Sequence, residues 1–191
     1  MSAYYKEVYI NPELVELIKE HISTHFKELV VERAYNSYDC NFPKEIKDLI
    51  NNEFKSYGVP EMKIACLFRR RDFSGVGEAL HIDKRSDGFV EKCALNIPIE
   101  GTEGTIHYWA GGEYTEEYRI GLTGYSLTLP NWKNGFIVLD QVEITKPTLV
   151  RTDIPHMVTN VGSNYRTIVS IRFKEQPSSF EEMANKFSSA I

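Results

Sequence analysis

The chain has 191 residues, of which 42% are hydrophobic, 12% aromatic and 26% charged, with a formal net charge of -5. This ordinary mixture excludes a disordered, collagenous or coiled-coil chain, and the length suffices to bury a core without a disulfide or metal staple. A pI of about 5.6 separates it from proteins that read nucleic-acid phosphates broadly, so nucleic acid is not the expected partner. The three cysteines, Cys40, Cys66 and Cys93, are odd in number and lack CxxC spacing. That argues against a disulfide scaffold or a zinc ribbon, and Cys66 and Cys93 read as small core residues in apolar runs. The first residues, MSAYYKEVYI, do not form a basic region followed by an apolar stretch, and no run approaches a membrane span. The expected location is a reducing cytoplasm.

One domain over 1–191 is expected: helical support over 1–60, a β core over 62–174 and a C-terminal helix within 175–191. The first helix is predicted over 12–29. Asn11 is a suitable N-cap, Pro12 suits the first helical position, and Leu14, Leu17 or Ile18, Ile22, Phe26 and Leu29 form an apolar stripe. His21 and His25 lie one turn apart on it, with no third metal ligand nearby in sequence. The second helix is predicted over 43–57, with Ile46, Leu49, Ile50 and Phe54 inward and Gly58 and Pro60 as stop signals. Between 62 and 174, β-rich runs recur at 63–70, 80–84, 93–99, 105–109, 118–129, 136–145, 148–151, 156–161 and 166–173, separated by Gly, Asn, Asp and Pro. Strands without intervening helices imply an antiparallel sandwich or barrel, here a jelly roll (double-stranded β-helix) with helices packed outside it. A short last helix is predicted over 180–188, where Ser179 and Glu182 form a capping box.

The chemistry-bearing residues are few. His81 and Asp83 lie at i and i+2 of a predicted strand, which puts an imidazole and a carboxylate on one face. His156 begins a later strand and Arg166 begins the last one. The segment 161–164 (Val-Gly-Ser-Asn) has turn chemistry, so a hairpin is predicted, with His156 and Arg166 on inward faces and Ser170 and Arg172 following Arg166 at even spacing. Two histidines and one carboxylate on one face of Fe(II) leave three coordination positions open. A 2-oxoacid can fill two and dioxygen the third. The far carboxylate of such a co-substrate needs a fixed cation, and the planar, permanently charged fork of Arg suits it.

In this order, His81-x-Asp83, His156 and Arg166 resemble the Fe(II)/2-oxoglutarate-dependent oxygenase superfamily. Within it, the stretches LNIPIEGTEGTIHYW and IPHMVTNVGSNYRTIVSIRF are similar to compact aspartyl/asparaginyl β-hydroxylase-like and prolyl-hydroxylase-like members of bacteria and tailed phages. The resemblance covers about residues 62–174. It implies His81, Asp83 and His156 as catalytic iron ligands, Arg166 as the residue that binds the distal carboxylate of 2-oxoglutarate, and Ser170 as an assisting hydroxyl. It implies Fe(II) as cofactor and 2-oxoglutarate as co-substrate, and hydroxylation of a small molecule or peptide side chain with release of succinate and carbon dioxide. For a phage-encoded chain the cytoplasm would be the host's. Several β-hydroxylases lack the carboxylate ligand that Asp83 supplies here, which sets the full-triad members as the closer analogy.

Other residues carry two readings each. His107 lines the mouth or packs within its strand, and Asn96 bonds a ligand or satisfies a strand end. Arg69, Arg70 and Arg71 form a solvated charge run, or contact an anionic substrate beside the loop 72–78. Gly75 and Gly77 lack the rest of a dinucleotide fingerprint and mark a flexible turn. Tyr108, Trp109, Tyr114 and Tyr118 form an aromatic cluster, for the core or for stacking a substrate. A cupin-like metal-binding jelly roll and a non-catalytic ligand-binding module are the competing functions. The first cupin motif calls for His-x-His where Asp83 stands. Oligomeric state is not encoded in any motif.

Overall fold

The structure, a computed structural model, describes residues 2–27, 36–70, 80–84, 87–102, 104–120, 126–160 and 166–188. Helix α1 (Pro12–His25) starts where its sequence chemistry says: the Asn11 side chain accepts a hydrogen bond from the Glu13 N–H at 2.9 Å, and Pro12 supplies the first turn. Leu14, Val15, Ile18 and Ile22 are buried; Leu29, placed on the same stripe by sequence, lies outside the described residues. Helix α2 (Lys44–Ser56) buries Ile46, Ile50 and Phe54, a strict four-residue step. Leu49, expected inward, is 47% exposed, because it sits to the side of that narrow stripe. The helix stops in a Schellman turn. Gly58 takes φ of 65°, its N–H donates to the Lys55 carbonyl, and the Val59 N–H donates to the Phe54 carbonyl. Helix α3 (Phe180–Lys186) has the expected cap, with Ser179 Oγ accepting from the Glu182 N–H at 3.2 Å.

The strands are β1 (Tyr5–Glu7), β2 (Asn36–Asp39), β3 (Met62–Arg70), β4 (Cys93–Glu100), β5 (Thr105–Gly111), β6 (Tyr114–Ile120), β7 (Ser126–Trp132), β8 (Ile137–Glu143), β9 (Thr148–Arg151), β10 (His156–Asn160) and β11 (Arg166–Phe173). A six-stranded antiparallel sheet has the order β1-β9-β4-β11-β3-β2, a three-stranded sheet the order β10-β5-β8, and β6 and β7 form a separate ribbon. From β3 onward the chain crosses repeatedly between the two larger sheets, which is the winding of a jelly roll. The protein is mainly β with helices outside the core, as expected.

Several local expectations change. The run 118–129 contributes to two strands, β6 and β7. The segment 80–84 is not a full strand but is held by isolated bridges, His81 to His156 and Lys84 to Val90. The hairpin expected between His156 and Arg166 does not form. Instead β10 pairs with β5, while β11 pairs with β3 and β4; the turn residues 161–164 lie outside the described residues. Consecutive strands that cross between sheets cannot pair with each other. His156 and Arg166 therefore belong to opposite walls of the roll. Strands β1 and β2 had no expectation in the sequence; both are short edge strands.

The six-stranded sheet separates two cores. Its outer face packs Leu95, Ile97, Leu149, Val169, Ile171 and Phe173 against residues of all three helices. Between the sheets, Ala94, Val150 and Ile168 meet Trp109 and Ile144. Each fully buried large apolar side chain contributes roughly 1.5–3 kcal/mol, so the helix-side core carries most of the stability. Strand β11 is buried along its whole length. Its alternation sends Val169, Ile171 and Phe173 outward and Arg166, Ile168, Ser170 and Arg172 inward. No helix among the described residues is long and apolar enough to cross a membrane.

Candidate metal centre

His81, Asp83 and His156 are brought together by backbone pairing before any side chain acts. His81 and His156 exchange both backbone hydrogen bonds, at 3.0 and 2.9 Å. The Asp83 N–H donates to the Thr152 carbonyl at 3.0 Å, and the Asp83 carbonyl accepts from the Glu91 N–H at 2.9 Å. The segment 80–84 is thus laced to the approach of β10 on one side and to the residues before β4 on the other. The His81 and His156 rings lie 4.4 Å apart between centroids. One ligand atom from each of the three residues lies within 4.8 Å of the others, and His81 Nε2 is 3.8 Å from Asp83 Oδ1. Among the described residues this is the one cluster of its kind. His21 and His25 stack at 4.2 Å, but His21 Nε2 is engaged with the Cys40 carbonyl, and no third ligand joins them among the described residues.

The donor set fits a divalent cation. His156 Nδ1 is 2.9 Å from the Ile154 carbonyl. A carbonyl only accepts, so Nδ1 carries the proton and Nε2 keeps its lone pair for a metal. Burial, then the neighbouring His81, push the His156 pKa down to about 4, with Asp83 opposing. The imidazole is neutral at physiological pH, as ligation requires. Asp83 uses Oδ2 to accept from Arg172 Nη1 at 2.6 Å, which leaves Oδ1 turned towards His81. Burial pushes its carboxyl pKa up, but Arg172, His156 and His81 together outweigh that and hold it below the usual range. Arg172 also lies 3.2 Å from Glu91 Oε2. Asp83, Glu91 and Arg172 are 3%, 0% and 9% exposed. Two carboxylates share one guanidinium in a region where unbalanced charge is costly. A bound dication would compensate the extra negative charge.

Arg166 and Ser170 are buried on the inner face of β11. Ser170 stands opposite Asn96 on β4 and Cys66 on β3, and Asn96 stands opposite Thr148 on β9, giving a polar row across the sheet. The facing wall is aromatic. Trp109 is fully buried, donates from Nε1 to the Arg151 carbonyl at 2.9 Å, and stacks on Tyr5 and on His107. Tyr114 instead packs on Trp132 in the ribbon, so it is separated from Trp109. Arg69 is engaged within the chain: Nη1 donates to the Phe26 carbonyl at 3.0 Å and Nη2 lies 3.4 Å from Glu100, tying β3 to the end of α1. Arg71 and the loop 72–78, with Gly75 and Gly77, lie outside the described residues.

Sequence reasoning left Arg172 and Glu91 without roles. The even spacing of Arg172 from Arg166 was the available signal for the first. Glu91 had none, because its meeting with Arg172 depends on a contact across 81 positions of chain.

No protein-family model matches the chain, and no curated protein matches it. Among solved structures it is similar to AviO1 from Streptomyces viridochromogenes Tue57, at 11% identity over 93% of both chains with a TM-score of 0.43. A prolyl-4-hydroxylase of Pseudomonas putida aligns at 10% identity over 91% of this chain and 92% of that one, TM-score 0.44. Escherichia coli ycfD aligns at 11% identity over 79% of this chain and 37% of its own length, TM-score 0.42.

Proposed function

We propose that the chain is an Fe(II)- and 2-oxoglutarate-dependent dioxygenase that hydroxylates a small molecule or a peptide side chain, with release of succinate and carbon dioxide. One observation carries the reading: the His81, Asp83 and His156 ligand atoms converge within 4.8 Å on the wall facing the strand that bears Arg166 and Ser170. His81, Asp83 and His156 would hold Fe(II), and three protein ligands leave part of its coordination sphere to the co-substrate. When bound, the iron supplies dioxygen activation and the redox chemistry of decarboxylation and C–H oxidation.

The chain's own residues do the rest. Arg172 orients Asp83 by taking one carboxylate oxygen, and the Ile154 carbonyl fixes the tautomer of His156. Arg166 offers a permanent, forked cation to the distal carboxylate of the 2-oxoacid, and the Ser170 hydroxyl donates beside it. Trp109, Ile168, Val150 and Ala94 form an apolar cluster between the sheets, and apolar surroundings strengthen such charge-assisted bonds.

The test is anaerobic addition of Fe(II) and then 2-oxoglutarate to metal-free protein, followed by visible absorption. A charge-transfer band that needs both components, and is lost in Arg166→Ala and in Asp83→Ala, is the expected result. Iron uptake without such a band would replace this function with a cupin-like metal-binding jelly roll. No uptake of either would leave a non-catalytic ligand-binding module.

A further inference from the structure

Strand β5 turns Thr105, His107 and Trp109 inward. His107 stands opposite Val158, two residues along β10 from the His156–Trp109 pair. Its ring therefore enters the space between the sheets on the same side as His156. It stacks on Trp109, with centroids 4.6 Å apart at 15°, and on His156, at 5.4 Å and 21°. The residue is 3% exposed, and neither Nδ1 nor Nε2 has a hydrogen-bond partner among the described residues. One buried orphan is uncommon in a folded protein, and an imidazole with both nitrogens orphaned is rarer still. A second orphan faces the same interior from the other sheet: Asn96 Oδ1 on β4, in a residue 7% exposed, beside Ser170 and Thr148.

Burial and charge both act on His107. Burial pushes its pKa far down, and His156, Arg166, His81 and Arg172 then push further, in that order. Two of these groups, His81 and His156, are candidate metal ligands, and Arg166 and Arg172 are the cations on the inner face of β11. The ring is neutral there and offers one N–H and one lone pair. Flat stacking leaves those nitrogens only the edge directions, away from Trp109 and His156. Arg172 is taken up by Asp83 and Glu91, so the Arg166 guanidinium is the cation that suits this interior to an anionic, oxygen-rich molecule.

We propose that His107 donates a hydrogen bond to an oxygen of the 2-oxoacid lying between the iron ligands and Arg166, and that Asn96 bonds the same molecule from the opposite sheet. The inference rests on the co-substrate reading above. An amide turned by 180° fills the same space, so Asn96 can present its NH2 to a carboxylate. The two orphans are then built for an occupant and not for packing, and the protein without ligand loses nothing when they become apolar.

The experiment is calorimetric binding of 2-oxoglutarate to the protein loaded with Mn(II), a redox-silent dication, with thermal unfolding of each metal-free variant alongside. His107→Phe and Asn96→Leu are expected to keep or raise the Tm and to keep Mn(II) affinity. His107→Phe is expected to weaken 2-oxoglutarate roughly tenfold or more, the effect of one lost charge-assisted hydrogen bond. His107→Gln, which retains a donor, is expected to stay within about threefold of the parent chain. Equal 2-oxoglutarate affinity in His107→Phe and the parent would overturn the assignment and leave Arg166 in its role. If the Phe ring prevents folding, His107→Leu against His107→Gln decides the matter, and equal affinities there overturn it too. Failure of the parent chain itself to bind 2-oxoglutarate in the presence of Mn(II) would overturn the co-substrate reading and this inference with it.

Discussion

On β11 the side chains of Val169, Ile171 and Phe173 meet the helices, while Arg166, Ser170 and Arg172 meet the interior of the roll. The same division runs across β4, where Leu95 and Ile97 face outward and Asn96 faces inward. All of these residues are buried, yet they are buried for different reasons. The outward set is held by dispersion and by exclusion of water, interactions that tolerate no charge. The inward set consists of polar groups whose burial is unfavourable unless they bond one another or a ligand. Strand alternation lets a single element serve both purposes, because adjacent residues never share an environment. The outer face therefore holds the sheet rigid, and that rigidity fixes the polar face behind it.

The comparison breaks most visibly at neighbouring positions on one strand. Arg172→Leu leaves the Asp83 and Glu91 carboxylates buried without their shared guanidinium, and a loss of about 3–5 kcal/mol is expected in denaturant unfolding of the metal-free protein. Part of that loss should return on adding Mn(II), since a dication bound only to the folded state stabilises it. Phe173→Ala removes a fully buried ring from the helix side. It should cost a similar 3–5 kcal/mol, but with no recovery on adding metal beyond that of the parent chain. A metal-dependent rescue of Phe173→Ala as large as that of Arg172→Leu would show that the two faces are not separable.

A pH series sharpens the same contrast with a smaller effect. His156 has a folded pKa of about 4 against an ordinary 6.5. Between those values the unfolded chain binds a proton that the folded chain refuses. The contribution is complete above pH 6.5, shrinks as pH falls, and levels off below pH 4. Metal-free protein should lose on the order of 3 kcal/mol over this window. His107 is pushed in the same direction and adds to the fall. His156→Gln should flatten the slope, whereas Phe173→Ala should shift the whole curve without changing its shape. A slope untouched by His156→Gln would place the acid sensitivity elsewhere.

Much of the local structure was legible. Asn11, Pro12, Ser179 and Gly58 act through hydrogen bonds and dihedral limits spanning a few residues, and each stands where its chemistry put it. Leu49 was misread for an instructive reason. The inner stripe of α2 steps by four through Ile46, Ile50 and Phe54, and Leu49 lies off that line, beyond the reach of a pattern that counts apolar residues without knowing the width of the surface they meet. His81 and Asp83 were paired by an i, i+2 argument, and they do converge, although on a bridged segment and not on a full strand.

Residue types and spacing determined the mainly β class and the two supporting helices with their caps, and together with the family resemblance they nominated the side chains of a metal site. Only the tertiary structure decided which sheet each strand joins. That choice put His156 on the wall opposite Arg166 instead of beside it, brought Arg172 and Glu91 to Asp83, and enclosed polar atoms of His107 and Asn96 that have no hydrogen-bond partner among the described residues. Propensity and capping act over a few residues and can be read along the chain. Strand partners are selected by backbone hydrogen bonds and burial between segments tens of residues apart, and no local signal carries that choice.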